Sequence, residues 1–373
     1  MSETDSTASV AQHGAPIKGR GTSWAIDYRF ASWQRTEFDD GWPPHAKDGI
    51  GERSGVQPPD TVVREERVRS ILAGNDSPDI GFDLSINPYR GCEHGCSYCY
   101  ARPTHGYLSL SPGLEFETRI VAKVNAAERL REALAASNYT PLRLNIGSAT
   151  DAYQPVERRL RITRSLIAVL AEARHAFSII TKSSLVERDL DLVAPLAAER
   201  LVAVYVSITT LDGELARRLE PRAAAPHRRL RTLEVLARAG VPVGVSVSPV
   251  IPLLNEPELE RILASAHDAG ASHAFSIVLR LPWEVNPLFQ RWLDEHEPRR
   301  AARIMARVRE MRGGRDNDPR FGKRMTGEGL WAQLLRQRFE KACRRIGLSR
   351  ERIELDLTRF VPPGRDPQQC CLF

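Results

Sequence analysis

Asn87-Pro-Tyr-Arg-Gly-Cys92-Glu-His-Gly-Cys96-Ser-Tyr-Cys99-Tyr-Ala-Arg102 holds three cysteines in a C-x3-C-x2-C spacing, directly after a short strand-like run at 83–87. Gly91 and Gly95 give the backbone the turns that a tight cage requires, so this loop is suited to folding three thiolates around one inorganic centre. The count of three is informative. A cubane held by three cysteines keeps one iron open to a substrate or cofactor, whereas a structural cluster or zinc is normally closed by a fourth residue. A Cys3His zinc site completed by His94 or His105 is the competing reading of the same residues.

Working outward from the loop, β-branched runs alternate with amphipathic ones. Strands are predicted at 83–87, 142–148, 177–183, 201–209, 241–248 and 273–281, with helices at 119–136, 163–173, 187–199, 228–239 and 256–269. The later strand ends are separated by 35, 26, 40 and 32 residues, each enough for a strand and a returning helix. The fold class is therefore α/β, a parallel sheet of six β/α units closing as a partial (β/α)6 barrel. Residues 1–82 show no sustained period and read as an extended arm, with Trp24, Phe30, Trp33 and Trp42 pinning parts of it. The barrel is expected over 83–285 and a basic helical extension over 286–360. Its helices are at about 298–312 and 327–347, the second opened by Thr326 with Gly327 and closed by Gly347. Residues 361–373 read as a flexible tail.

Composition excludes several classes. With 42% hydrophobic and 27% charged residues, the 373-residue chain reads as globular. No run reaches the roughly 18 apolar residues of a membrane helix, and the first residues, MSETDSTASVAQHG, carry no apolar signal core, so the expected location is the cytoplasm. There, cysteines argue for metal or redox chemistry before disulfides. The net charge of +6 is unevenly spread: 299–352 carries 17 Arg or Lys against 6 Asp or Glu, a local +11, and the remainder sums to −5. With Phe321, Trp331 and Phe339 interleaved, this segment suits nucleic-acid contact, a solvated helix face being the alternative.

The cysteine spacing, with an aromatic before the last cysteine and on the loop after strand one, resembles the radical S-adenosylmethionine (radical SAM) superfamily. More closely, Asn87-Pro-Tyr-Arg-Gly-Cys92, Tyr98-Cys99-Tyr100-Ala-Arg102, Thr150-Asp151-Ala-Tyr-Gln-Pro155 and Leu219-Glu-Pro-Arg222 resemble the bacterial group related to spore photoproduct lyase, often labelled DNA repair photolyase. Lys18-Gly-Arg-Gly21 is similar to a subgroup of it. The resemblance implies a [4Fe-4S] cluster on Cys92, Cys96 and Cys99, with S-adenosylmethionine (SAM) chelated to the open iron. An electron from the cluster would cleave SAM to a 5′-deoxyadenosyl radical. It also implies an electron donor such as flavodoxin or ferredoxin, and a nucleic-acid substrate. An RNA-modifying radical SAM enzyme and a non-catalytic iron–sulfur DNA-binding sensor are the alternatives.

In a parallel β/α fold the C-terminal strand ends face the active site. Strand two ends in Gly147-Ser-Ala-Thr150-Asp151, strand three in Thr181-Lys182-Ser183, strand four in Ser207 and strand five in Ser246 to Pro249. Asp151 suits an ammonium, Lys182 a carboxylate, and Thr150 and Ser207 hydroxyls. The resemblance assigns Tyr98, Thr150, Asp151, Lys182 and Ser207 to SAM. Helix capping is the other reading of such residues. Tyr98 and Tyr100 are candidates for hydrogen-atom or electron movement, or shield the cluster from water. Arg222 either lines the mouth or is a solvated loop cation, and Tyr153 and Gln154 either touch substrate or pack before Pro155. Spore photoproduct lyase draws its hydrogen atom from a cysteine at the end of strand two. Here that stretch is Ile146-Gly-Ser-Ala149, without a thiol. The chain ends Gln369-Cys-Cys-Leu372-Phe373, which resembles the Gln-x-x-Leu-Phe peptides that dock on the bacterial sliding clamp.

Overall fold

The computed structural model describes residue 17 and residues 19–30 and 60–364. Trp33, Trp42 and the clamp-like residues 369–373 lie outside the described residues. Ten strands occur among the described residues: β1 (Val62–Glu66), β2 (Leu72–Gly74), β3 (Leu84–Ile86), β4 (Tyr89–Arg90), β5 (Arg119–Lys123), β6 (Leu144–Ile146), β7 (Phe177–Thr181), β8 (Val202–Ser207), β9 (Val243–Val250) and β10 (His273–Val278). The main sheet has the order β10-β9-β8-β7-β6-β3-β2. Its strands β3 and β6 to β10 are mutually parallel and coincide with the six predicted strands, so the α/β partial (β/α)6 barrel is the observed architecture. β2 runs antiparallel on the β3 edge.

The register fixes which side chains point where. Ser85 pairs with Asn145, Asn145 with Ser178, and Ser178 with Ala203, while Ser207 pairs with Ser246 and Ser246 with Phe275. Side chains alternate along each strand. Asn145, Ser178, Ser207, Ser246 and Ser248 therefore share one face, and Ile146, Ile179, Val204, Val206, Val245 and Val247 the other. The second set is buried among the surrounding helices, so the polar set lines the inside of the half-barrel.

Expectations for 119–136 and for the arm need correction. The predicted helix at 119–136 is a strand, β5, followed by a helix at Ala126–Ala135. Ile120 and Ala122 are fully buried in a second sheet, where β5 lies between β1 and β4. The partner β1 comes from residues read as arm, so nothing nearby in the chain announced the pairing. The arm itself is anchored: Trp24 and Ile26 are buried against Leu288, while Phe30 is exposed.

The helical extension contains Ala301–Glu310 and Gly329–Ile346, with Gly347 closing the second at φ 83. Thr326 does not cap that helix, its hydroxyl turning instead to the carbonyls of Gly322 and Gly327. A helix at Val285–His296 precedes both, and its Phe289 and Trp292 are buried. After Gly347 the chain returns across the bottom of the sheet: Ser349 bridges His273, Ile353 N–H donates to Tyr205 Oη and Asp356 N–H to Arg200 O.

Candidate functional site

The cysteine loop is tied down from three sides. Gly91 at φ 79 and Gly95 at φ 67 make the left-handed turns, and Cys92 N–H donates to Phe116 O at 2.9 Å. From beyond β6, Thr150 Oγ1 donates to Gly91 O at 2.6 Å and Gln154 Nε2 to the same carbonyl at 3.2 Å. Gln154 Oε1 accepts Glu93 N–H at 2.8 Å, and Glu93 Oε2 accepts Val156 N–H at 2.6 Å. From the segment after the Gly213–Leu219 helix, Leu219 O accepts Ser97 N–H at 3.0 Å and Arg222 N–H donates to His94 O at 3.3 Å. The Arg222 guanidinium also meets the Glu93 carboxylate at 3.1 Å. From the third side, fully buried Arg102 gives Nε to Cys96 O at 2.9 Å and Nη2 to Glu117 Oε1 at 2.6 Å.

Behind the loop lies a buried charge relay that sequence reasoning missed. The Glu220 carboxylate accepts from Tyr98 Oη and Arg229, and from Thr209 Oγ1 at 2.5 Å. Burial alone would raise the Glu220 carboxyl, but Arg229 above all, then Lys182, holds it down at about 2. Lys182 Nζ stands 5.8 Å from the Tyr98 ring centre. Burial opposes the charge on Lys182, yet Cys96 and Glu220 favour it and its ammonium titrates above the ordinary value.

All five residues assigned to SAM lie at this end of the barrel, but their side chains divide. Asp151 Oδ1 accepts Thr181 Oγ1 at 2.7 Å and Tyr153 N–H at 2.9 Å, and its Oδ2 accepts Lys182 N–H at 2.7 Å, which ties the ends of β6 and β7 together. Burial opposes its ionisation, but His94, 3.3 Å away, and these donors keep its carboxyl well below the usual range. Thr150 and Tyr98 are likewise bonded to the protein, to Gly91 O and to Glu220. Ser207 and Lys182 face the interior, next to Ser246. Tyr100 stands apart: it is 51% exposed, and its hydroxyl donates to Ser148 O, within the stretch that lacks the thiol. Arg222 and Gln154 are bonded to the cysteine loop, and Tyr153 donates to Asp189 at 3.1 Å.

The donor set fits an iron–sulfur cluster better than zinc. His105 Nε2 is bonded to Arg119 O at 3.0 Å and its ring lies against Phe116, while His94 Nδ1 faces Asp151. Both rings are thus packed against other groups. Among the described residues no three such side chains are gathered tightly enough for a single ion; a cubane spreads its ligands further apart. Burial raises the Cys92 thiol well above its ordinary value and Cys96 to about 12, and Cys92 feels both of the other sulfurs. Thiols that resist ionisation alone become thiolates when a cation binds among them. Beside them, Ser246 Oγ, Ser248 Oγ and Arg280 Nε are buried without a hydrogen-bond partner, as expected of groups that meet a polar ligand.

The comparisons agree with this geometry. Residues 86–266 match the model of the Radical SAM superfamily. An uncharacterised protein of Mycobacterium tuberculosis is 36% identical over 232 residues, 62% of this chain and 67% of that protein. The chain belongs to the radical SAM superfamily. An uncharacterised protein of Methanocaldococcus jannaschii is 29% identical over 178 residues, 48% of this chain and 64% of that one. Among solved structures, a cysteine-to-serine mutant of spore photoproduct lyase has TM-score 0.54 at 17% identity, covering 77% of this chain and 81% of that chain. Spore photoproduct lyase complexed with dinucleoside spore photoproduct has TM-score 0.53 at 16% identity, again over 77% and 81%. At such identity the likeness is one of fold. As in the rest of the superfamily, the cofactors of this radical SAM protein are a [4Fe-4S] cluster and SAM, and its chemistry needs an electron donor. No helix among the described residues is long and apolar enough to cross a membrane.

The basic segment is partly paired. Arg300 pairs with Glu297, Arg307 with Glu310, Lys323 with Glu328, Arg324 with Asp79, and Arg338 with Glu256 and Glu260. Arg299, Arg303, Arg336, Lys341, Arg344 and Arg345 make no ion pair among the described residues.

Proposed function

We propose that this chain is a radical SAM enzyme whose Cys92, Cys96 and Cys99 carry the cluster, and whose substrate is a nucleic acid presented at the open mouth of the half-barrel. The observation that carries the enzyme reading is the unpartnered inner face beside the cysteine loop. Ser207, Ser246 and Ser248 offer hydroxyls and Lys182 a cation, which together match the ribose and carboxylate of SAM. Bound together, cluster and SAM supply one-electron cleavage of a sulfonium and attack on an otherwise unreactive C–H bond. The protein's part is positional: Thr150, Gln154 and Arg102 hold the loop carbonyls, Asp151 locks two strand ends, and the Glu220–Arg229 pair fixes Tyr98. Tyr100, whose hydroxyl lies at Ser148, is the residue placed to pass a hydrogen atom or electron at the mouth.

Support for a nucleic-acid substrate comes from the rim rather than from the basic helices. Arg280 lies over the Tyr100 ring at 5.5 Å and has no carboxylate partner among the described residues. On the same loop Trp283 is 63% exposed, with Arg29 stacked 3.6 Å from its ring centre. Phe30 and the 66% exposed Tyr107 follow, 5.1 Å apart. Exposed rings interleaved with arginines suit unstacked bases and their phosphates. A flavodoxin or ferredoxin is the expected electron donor, and residues 369–373 remain a proposed sliding-clamp peptide.

Anaerobic incubation of the reduced, reconstituted protein with SAM tests the reading. It should release 5′-deoxyadenosine, and a deuterated single-stranded oligonucleotide should pass deuterium into it. Absence of 5′-deoxyadenosine would sink the enzyme reading and favour the sensor. Release without deuterium from any DNA or RNA would sink the substrate.

A further inference from the structure

The Lys18-Gly-Arg-Gly21 motif is unused by the reading above, yet its described residues press directly on the cysteine loop. Gly21 N–H donates to Glu117 Oε2 at 2.9 Å, and Arg20 Nη1 donates to Glu117 O at 3.2 Å. Glu117 is the fully buried carboxylate whose other oxygen takes Arg102, and Arg102 in turn holds Cys96 O. The approach is extreme. A Cβ built on Gly21 would lie 1.5 Å from Gly95 O, and one built on Gly95 would lie 2.6 Å from Glu117 Oε2. Glycine is thus the one residue that fits at 21, for want of space and not for its φ angle. On its far side Arg20 shares Thr61 Oγ1 with Arg222, at 3.2 Å from each, and Arg222 holds Glu93.

The segment does not rest there by chance. Trp24 O accepts Leu114 N–H at 2.9 Å, Ile26 N–H donates to Ser111 Oγ at 2.8 Å, and Ser111 Oγ donates back to Ile26 O at 2.9 Å. Trp24 and Ile26 are buried with Leu288. One stretch of chain, remote in sequence, is therefore anchored along 111–117 and delivers Gly21 to the carbonyl between Cys92 and Cys96.

We propose that residues 19–26 form a strap that holds the cysteine loop closed around its cluster, with Gly21 as the positioning residue. This rests on the assignment of Cys92, Cys96 and Cys99 as cluster ligands. The strap fixes the Gly95 peptide and the Arg102–Glu117 pair. Groups that orient metal ligands commonly change metal affinity by about 10–100-fold when removed.

The test uses the full-length, reconstituted protein. Iron and sulfide content, the rate of iron loss to a chelator and the EPR spectrum of the reduced cluster are measured for wild type, Gly21→Ala, Arg20→Gln and Gly74→Ala. Gly21→Ala should lose iron at least about tenfold faster with an altered EPR spectrum, and Arg20→Gln should change both in the same direction to a smaller degree. Gly74→Ala, remote from the strap and where a Cβ meets nothing within 4 Å, should match wild type. Wild-type rates and spectra in Gly21→Ala overturn the strap. So does an unfolded Gly21→Ala alongside an Arg20→Gln that behaves as wild type, or a Gly74→Ala as labile as Gly21→Ala. A wild-type chain that takes up no iron and sulfide overturns the cluster assignment itself.

Discussion

The cysteine loop and the inner face of the half-barrel are neighbours that differ in how firmly their polar groups are held. In the loop, the carbonyls of Gly91, His94 and Cys96 and the N–H groups of Cys92, Glu93 and Ser97 all have partners, several from fully buried side chains. On the inner face, Ser246 Oγ, Ser248 Oγ and Arg280 Nε are buried and unpaired; in the loop His94 Nδ1 and Ser97 Oγ are left so, while the backbone groups that shape it are held. Satisfied networks rigidify; unsatisfied buried groups are costly unless a ligand meets them. The loop is built to hold an inorganic group in one place, and the inner face to receive something that comes and goes.

If that contrast is right, the largest effect belongs to the loop. Cys96→Ala should abolish iron and sulfide uptake on anaerobic reconstitution. A chain with Cys96 replaced that still retains a full cluster would break the assignment. Next comes the support behind the loop. Arg229→Met leaves Glu220 charged and buried, which should cost about 3–5 kcal/mol in denaturant unfolding, and adding Glu220→Gln should recover most of it. A single variant within about 1 kcal/mol of wild type would show that the pair is not needed for the loop's rigidity.

Local pattern decided how much of this was legible. Val202–Ser207 and Val243–Val250 are β-branched runs between amphipathic segments, and the C-x3-C-x2-C spacing lies within one loop, so fold and cluster ligands were readable from short windows. β5 was not, because its partner β1 lies more than fifty residues earlier and carries the charged sequence VVREE. Glu220 with Arg229, and Arg102 with Glu117, look like ordinary surface charges until tertiary packing buries them. Asp151 and Thr150 were found by position at strand ends, but the partners that hold their side chains come from tertiary packing and left no mark in the sequence. The Val-Ser-Val-Ser alternation at 245–248 did carry the inner-face signal: in a strand whose outer side is core, alternate serines can only point inward.

At the rim, Trp283→Ala should weaken binding of a single-stranded oligonucleotide, read by fluorescence anisotropy, by about 1–3 kcal/mol, and Trp283→Phe should keep most of the affinity. Binding should also fall as salt rises. Equal affinity for wild type and Trp283→Ala would detach the rim from the substrate and leave the contrast between loop and inner face untouched.

The smallest effect is the sharpest, because its two parts have opposite sign. Ser246 is fully buried, in register with Ser207 on one side and Phe275 on the other, and its hydroxyl has no partner. In the cofactor-free chain that hydroxyl has lost water and gained nothing, so Ser246→Ala should leave unfolding stability equal or raise it by up to about 1–3 kcal/mol. When SAM occupies the face, the same hydroxyl makes a neutral hydrogen bond, and its loss should weaken SAM binding by about 0.5–1.5 kcal/mol. Denaturant unfolding of the cofactor-free protein and anaerobic calorimetry with SAM measure the two. A stability loss with unchanged SAM affinity would make Ser246 a packing residue, and the inner face would then no longer differ in kind from the loop beside it.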